Sequence, residues 1–191
     1  MLKKAQGWVE NLFDWGNRLQ STEAEKLYGE AVRLARNRIF FEQFSVKDNV
    51  DGRFDVLSLI VIMLIQRLKD IGNDGRKLSQ GLVDSMFADM DLSLREMGAG
   101  DIGVSKRVKT MAEAFLGRVE AYAEAIDSRD KYKLSKALER NLYRGILPDN
   151  LIDNGIVDFI FVLVDDLERQ ADKDILDGRV KICNFDDRDT S

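Results

Sequence analysis

The chain has 191 residues, of which 45% are apolar and 33% charged, values typical of one folded domain rather than a disordered chain. It contains no histidine, which excludes the commonest general base, the commonest zinc ligand and every histidine-dependent nucleophile arrangement. A net charge of −5 argues against a general nucleic-acid binder, which needs a basic face. The single cysteine, Cys183, cannot form an internal disulfide, and charges interrupt the apolar residues at the start of the chain. We therefore expect a reducing, cytoplasmic location.

The first helix signals lie at the amino-terminal end. Residues 1–20 place several apolar side chains near one side of a short amphipathic helix, namely Trp8, Leu12, Phe13 and Trp15. This segment is either a docking element or a terminal helix packed on the core. Thr22 and Glu25 then have the spacing of a capping box, and the apolar residues that follow predict a helix over residues 22–36.

The most apolar part of the sequence follows an aromatic stretch and a turn. The turn is indicated by Asp48, Asp51 and Gly52. Residues 54–68 are apolar nearly all round, which predicts a buried central helix rather than an amphipathic surface helix. This run is too short to cross a bilayer, since a transmembrane helix requires about 20 apolar residues.

Two long helices are predicted next, separated by a glycine-rich loop. Residues 76–97 have apolar side chains at spacings of three and four, and Gly98 and Gly100 end this helix. Ser105 is predicted to cap a following helix that runs to about Ala125. Three cations then fall in its first turn, namely Lys106, Arg107 and Lys109. Because they oppose the helix dipole, we expect an anionic partner or neighbouring carboxylates at this turn.

The remaining sequence predicts two more helices, over residues 130–143 and 149–171. The second contains many β-branched residues, but its length favours a helix over a strand. Beyond residue 172 the chain is polar and acidic, and we expect it to be mobile. The fold class is therefore all-α, with about six to seven helices in a single compact domain. Three segments are predicted: an amphipathic segment (1–20), a helical domain (21–172) and an acidic tail (173–191).

Carboxylates are the remaining candidates for metal chemistry. A carboxylate metal site in a helical bundle uses Glu-x-x-His pairs, which this sequence cannot supply. The sequence DDLE at residues 165–168 is similar to an aspartate-rich magnesium motif, but Arg169 stands where the last aspartate is required. Neither a dinucleotide-binding nor a P-loop glycine pattern occurs. The sequence predicts a protein that is not an enzyme, with no cofactor and no metal.

Four short motifs follow one another through the middle of the chain. They are DGRFD at residues 51–55, FADMD at 87–91, REMG-x-GD at 95–101 and KRVK-x-MAEAF at 106–115. In this order they resemble the ubiquinol–cytochrome c chaperone family over about residues 26–145. The resemblance implies a helical, non-catalytic assembly factor of the respiratory cytochrome bc1 complex that binds newly made cytochrome b. The chain departs from the family pattern of proline, glycine, proline and histidine at Arg38, Ser45, Lys47 and Ile60, respectively.

The resemblance places the candidate partner-binding residues within these motifs. They are Asp51, Arg53, Phe54, Asp55, Phe87, Asp89, Asp91, Arg95, Asp101, Lys106, Arg107 and Lys109. Each of these residues also has an alternative, structural role. The two acids of DGRFD would cap a helix and be bridged by the arginine of the motif, and the aromatic residues would belong to the core. As a group they fit a polar rim around an apolar patch that holds a helix or loop of a membrane protein.

Three functions are compatible with the sequence. The first is a cytoplasmic chaperone that binds cytochrome b or another bc1 subunit, with peripheral contact at the inner membrane left open. The second is a general helical adaptor for a soluble partner, and the third is a carboxylate-metal enzyme in a helical bundle. Direct binding to nucleic acid is not expected, and the sequence does not predict the oligomeric state.

Overall fold

The computed structural model describes residues 21–98, 100–145 and 155–182, and all regular structure within these ranges is helical. The predicted all-α class is confirmed. The described helices are α1 (Thr22–Ala35), α2 (Ile39–Glu42), α3 (Val50–Lys69), α4 (Asn73–Glu96), α5 (Asp101–Asp127), α6 (Lys131–Asn141), α7 (Ile156–Arg169) and α8 (Asp172–Leu176). The predicted amphipathic segment, residues 1–20, lies outside the described residues.

Helix α3 forms the centre of the fold and packs against α1, α4, α5 and α7. Every residue from Phe54 to Leu64 is buried, as expected for a helix that is apolar nearly all round. The helix begins at Val50, four residues before the apolar run, because the Asn49 side chain accepts a hydrogen bond from the Gly52 amide at 2.8 Å. None of the described helices is long and apolar enough to cross a bilayer.

Two predicted helix starts differ from the structure. The Ser21 side chain, not that of Thr22, caps α1 by accepting from the Ala24 amide. Helix α5 begins at Asp101 instead of following a cap at Ser105. The reason is local: Gly100 has the extended backbone of a cap residue, and the negative charge of Asp101 in the first turn is favourable at a helix amino terminus.

The packed core extends beyond residue 172. Ile175, Val180 and Ile182 are buried and belong to the same core cluster as α3. Gly178, with a φ of 73°, lies so close to α1 that a Cβ atom there would approach the Glu23 carbonyl oxygen to 2.9 Å. The predicted start of the tail at residue 173 therefore falls inside the packed region, because apolar residues are interspersed among its charges. Residues 183–191 lie outside the described residues.

Candidate partner-binding site

The most unusual side chain within the DGRFD motif is Asp55, a carboxylate that is fully buried on α3. Its Oδ1 accepts from Arg118 Nη2 on α5 at 2.5 Å, and its Oδ2 accepts from Arg144 Nη2, just after α6, at 3.2 Å. Burial raises the pKa of the Asp55 carboxyl above its ordinary value, and the positive charges of Arg118 and Arg144 oppose that rise. Asp55 thus joins three parts of the chain through one buried charge cluster.

An aromatic side chain and a hydroxyl complete this cluster. The Arg118 guanidinium lies over the Phe54 ring at 5.5 Å from its centroid, a cation–π distance. Tyr122, one helical turn beyond Arg118, is fully buried, and its hydroxyl makes no hydrogen bond with a described residue. Arg118 Nε also lacks such a partner. The cluster therefore contains two buried donors whose hydrogen-bonding capacity is unused by the described chain.

The segment after α6 holds Arg144 in place over Asp55. The Tyr143 hydroxyl donates to the Phe44 carbonyl oxygen at 2.7 Å, which fixes this segment to the loop before α3. Arg144 has a φ of 55°, a left-handed conformation that residues other than glycine adopt rarely. Its Nη1 also donates to Asp51 Oδ2 at 2.9 Å. Arg144 consequently links an exposed acid and a buried acid of the same motif.

A shallow, open depression lies beside Arg144 on the surface. It is lined by Lys136, Glu139, Arg140, Arg144 and Gly145. Lys136 Nζ pairs with Glu139 Oε2 at 2.7 Å, whereas Arg140 makes no ion pair with a described residue. The depression is thus a predominantly cationic surface placed next to the buried Asp55 cluster.

The other residues of the DGRFD motif do not have the predicted capping and bridging roles. Asn49, and neither Asp51 nor Asp55, caps α3. Arg53 Nε donates to Asp48 Oδ1 at 2.6 Å instead of bridging the two acids of the motif. The reason is helical geometry: Arg53 is exposed, and residues two apart in a helix lie on nearly opposite sides, so it points away from the buried side that carries Asp55.

The FADMD motif divides between the core and the surface. Phe87 is buried and makes an edge-to-face contact with Phe115, their ring centroids 5.7 Å apart. Asp89 Oδ2 accepts from the Tyr28 hydroxyl on α1 at 2.6 Å. Burial, followed by this hydrogen bond, raises the pKa of Tyr28 above its ordinary value. Both residues connect α4 to its neighbouring helices.

Three charged residues join the end of α4 to the start of α5. Arg95 Nε donates to Asp91 Oδ2 at 2.6 Å, and Arg95 Nη1 donates to Asp101 Oδ1 at 2.5 Å. The side chains of Arg95 and Asp101 are exposed, so these pairs contribute little to stability and are screened by salt. They form a surface link that is separate from the Asp55 cluster.

The three cations of the KRVK motif are exposed, but they do not oppose the dipole of α5. Because this helix starts at Asp101, Lys106 and Arg107 occupy its second turn and Lys109 its third. The dipole effect decays within the first turn. The predicted electrostatic conflict is therefore wrong, and a role of these residues in partner binding stays a prediction from the family resemblance.

Within residues 21–98, 100–145 and 155–182, no three side chains of His, Cys, Asp or Glu are grouped so that they could hold a metal ion. Asp165 and Glu168 of the DDLE sequence both pair with Arg129, at 2.6 Å each. These carboxylates are therefore engaged in a salt bridge between α7 and the end of α5.

Comparisons with known proteins assign the family. Residues 42–183 match the family model described as Ubiquinol-cytochrome C chaperone, which is more than half of the chain. The chain belongs to this family. The ubiquinol–cytochrome c chaperone match includes all twelve candidate partner-binding residues.

A solved structure of similar fold has the description "Crystal structure of the Cbp3 homolog from Brucella abortus". It superposes with a TM-score of 0.75 and 32% sequence identity, and the alignment covers 88% of this chain and 92% of that one. A curated relative from Xenopus laevis, ubiquinol-cytochrome-c reductase complex assembly factor 1, is 33% identical over 54% of this chain and 51% of its own length. The Drosophila melanogaster assembly factor 1 is 29% identical over 54% of this chain and 42% of its own length. The chain thus spans about half the length of the curated relatives it matches.

Two positions that depart from the chaperone family pattern have a structural explanation here. Ile60, at the position expected to be histidine, is buried in the core of α3. Ser45, at the position expected to be glycine, has a φ of 55°. A glycine would adopt this conformation without strain, so serine is tolerated at some conformational cost.

Sequence reasoning missed Arg118, Arg140 and Arg144, which lie outside the motifs it used. One signal was available for the first: Phe115, Arg118 and Tyr122 are spaced three and four apart, so the arginine lies on the buried face of α5. An arginine at an inward position predicts a buried acid somewhere else in the chain. For the other two arginines the sequence contains no such signal.

Proposed function

We propose that this protein is a non-catalytic assembly chaperone that binds cytochrome b, or a close partner of it, during biogenesis of the cytochrome bc1 complex. The observation that carries the proposal is the family match over residues 42–183, together with the similarity to the Cbp3 homolog over 92% of that chain. Curated relatives are named as assembly factors of ubiquinol–cytochrome c reductase. The matches to these relatives cover 54% of this chain.

The Asp55 cluster supports a binding role rather than a reactive one. Its charges are held by two guanidinium groups at fixed positions, and the exposed cations beside it face an open depression without a deep cavity. An enclosed, mostly apolar pocket is usual where a small substrate reacts. A broad polar rim fixed by buried ion pairs suits recognition of a protein surface.

The proposed mechanism is capture and release by differential affinity. Unassembled cytochrome b exposes apolar and charged surface that the mature complex buries against other subunits. A chaperone that binds this surface has high affinity for the unassembled form and low affinity for the assembled one, so release follows from assembly and requires no nucleotide. We place this activity at the cytoplasmic side of the inner membrane, where the protein acts as a soluble or peripheral factor.

Deletion of the gene tests the proposal directly. We expect a large loss of assembled bc1 complex on native gels and a reduced level of cytochrome b, both restored by a plasmid copy. Other respiratory complexes provide the control for a general growth defect. Wild-type levels of assembled bc1 complex in the deletion strain would contradict the proposal.

A pull-down with the tagged full-length chain separates the proposal from its two rivals. Recovery of bc1 subunits supports the chaperone function, whereas recovery of soluble proteins alone supports a general adaptor. Stoichiometric metal in the purified chain, together with turnover of a small molecule, would support an enzyme. Mass spectrometry identifies the recovered proteins, elemental analysis of the same preparation measures bound metal, and an activity assay measures turnover.

A further inference from the structure

The outward face of α6 carries an ordered row of exposed side chains that none of the family motifs contains. Tyr132, Lys136 and Arg140 are spaced four residues apart, so they lie on one side of the helix. Tyr132 is 72% exposed, an uncommon degree for a large aromatic side chain. Arg144 continues the row after the helix ends. We call this row the α6 surface.

The charges of the α6 surface are only partly neutralised by the described chain. Lys136 pairs with Glu139, and Arg144 pairs with Asp51 and Asp55. Arg140, which lies between them and lines the depression, pairs with no described carboxylate. A guanidinium group in a concave surface, with cations on both sides, is suited to receive a carboxylate from outside.

Two buried polar side chains, Arg118 and Tyr122, form a layer next to the α6 surface. Arg118 is 8% exposed and Tyr122 is fully buried, yet Arg118 Nε and the Tyr122 hydroxyl have no described hydrogen-bond partner. Asp55 accepts hydrogen bonds from both Arg118 and Arg144, and Arg144 lines the depression together with Arg140, so this layer lies next to the α6 surface. Unused donors therefore lie near the same depression that Arg140 lines.

We propose that the α6 surface receives an acidic segment of the client protein, with a carboxylate at Arg140 and Arg144 and an apolar side chain against Tyr132. The proposal rests on the proposed function, because it names the chemistry by which the client is recognised. Glu139 and Asp51 interrupt the cations of this surface, so a continuous phosphate backbone would meet repulsion that a single acidic side chain avoids. An exposed tyrosine beside arginines is typical of residues that anchor protein interfaces.

The first test compares two charge reversals in the tagged full-length chain. Arg140→Glu changes the α6 surface, and Arg76→Glu makes the same change at an exposed position on α4. Among the described residues, the Arg76 side chain bonds only to the neighbouring Asn73. We expect Arg140→Glu to lower the amount of cytochrome b recovered from solubilised membranes about tenfold, since removal of one partner of an interfacial charge pair increases dissociation strongly. Arg76→Glu should recover as much as the wild type. Equal recovery by both variants would overturn the proposal.

A photocrosslink identifies the chemistry of the segment that is bound. Tyr132 is replaced by the photoreactive amino acid p-benzoylphenylalanine, and the crosslinked peptide is sequenced by mass spectrometry. We expect an Asp or Glu within about two helical turns of the crosslinked position, because Tyr132 and Arg140 are two turns apart. A crosslinked segment without acidic residues would contradict the proposal.

The outcomes separate this inference from the proposed function. If the wild type recovers bc1 subunits and Arg140→Glu recovers them equally, only the α6 surface is wrong. If the wild type recovers no bc1 subunit, the proposed function fails. If nuclease treatment removes the recovery that depends on Arg140, the surface binds nucleic acid and the inference fails.

Discussion

Asp55 occupies a position that the periodicity of α3 assigns to the core, yet it carries a charge. Ion pairing makes this possible: two guanidinium groups approach its carboxylate from residues 63 and 89 positions away. Removal of one charge would leave the other buried without a partner. The resulting loss of stability exceeds the net contribution of the ion pair to stability. Replacement of one member of this ion pair is therefore expected to change the free energy of unfolding strongly, and replacement of both members to change it little.

Asp55→Ala is expected to lower the free energy of unfolding by about 3 kcal/mol, because it leaves Arg118 buried without its carboxylate. The double variant Asp55→Leu/Arg118→Met should recover most of this loss, since apolar residues of similar volume can replace a buried ion pair. Urea denaturation of the single and double variants measures both values. A single variant as stable as the wild type would show that the cluster is not a structural unit.

Because of Tyr122, we expect the free energy of unfolding to depend on pH in the alkaline range. Burial raises its pKa in the folded protein above the ordinary value of 10.0, so the folded chain holds this proton at a pH where the unfolded chain has lost it. The stabilisation is complete below pH 10.0 and is lost as the pH rises above it. Tyr122→Phe lacks the titrating group, so its stability should fall less steeply above pH 10.0 than that of the wild type. Parallel denaturation curves for the two proteins across this range would contradict the assignment.

At the scale of elements, the first turn of α3 packs closely against the preceding loop. A Cβ atom at Gly52 would lie 1.9 Å from the Lys47 carbonyl oxygen, so no side chain fits between this turn of helix and the loop. The glycine of the DGRFD motif thus has a packing role that is independent of any partner. Asp51 and Asp55, four residues apart on α3, lie on one side of the helix, where Arg144 contacts both.

Gly52→Ala is expected to destabilise the fold by about 2 kcal/mol or more, because the loop or the helix must move. Gly117→Ala is the matched control, since nothing lies within 4 Å of the added Cβ in the middle of α5. There the substitution should raise stability by up to about 1 kcal/mol through helix propensity. Thermal unfolding followed by circular dichroism distinguishes the two directions.

At the scale of the whole molecule, the chain beyond α7 belongs to the core. Ile175 on α8 is fully buried, and Val180 and Ile182 follow it into the same cluster. Helix α8 packs against α4, and the Arg67 guanidinium donates to the carbonyl oxygens of Leu167 and Gln170 at the turn between α7 and α8. This end of the described chain therefore contacts α1, α3 and α4, which are far from it in sequence.

Ile175→Ala is expected to lower the free energy of unfolding by about 3 kcal/mol, the usual effect of removing a large aliphatic side chain from a core. Lys173→Ala, two residues earlier on the exposed side of the same helix, should change it little. Denaturant titrations of the two variants give the comparison. Similar values for both would mean that α8 does not contribute to the stability of the domain.

The sequence by itself determined the all-α class, the buried central helix and the family. Periodicity over a few residues decides which side of a helix is apolar, and each of the four motifs is a continuous stretch of sequence, so neither signal depends on tertiary contacts. The start of α5 was predicted too late, because Ser105 and Asp101 are both good starting residues and the backbone at Gly100 decided between them. The twelve motif residues were expected to form one group, but the helices distribute them among the Asp55 cluster, the core and two surface regions. Only the packing of α3, α5 and α6 brings Asp55, Arg118 and Arg144 together. Helical spacing places Arg118 on a buried face, but its partner is far away in sequence and depends on how the helices are arranged.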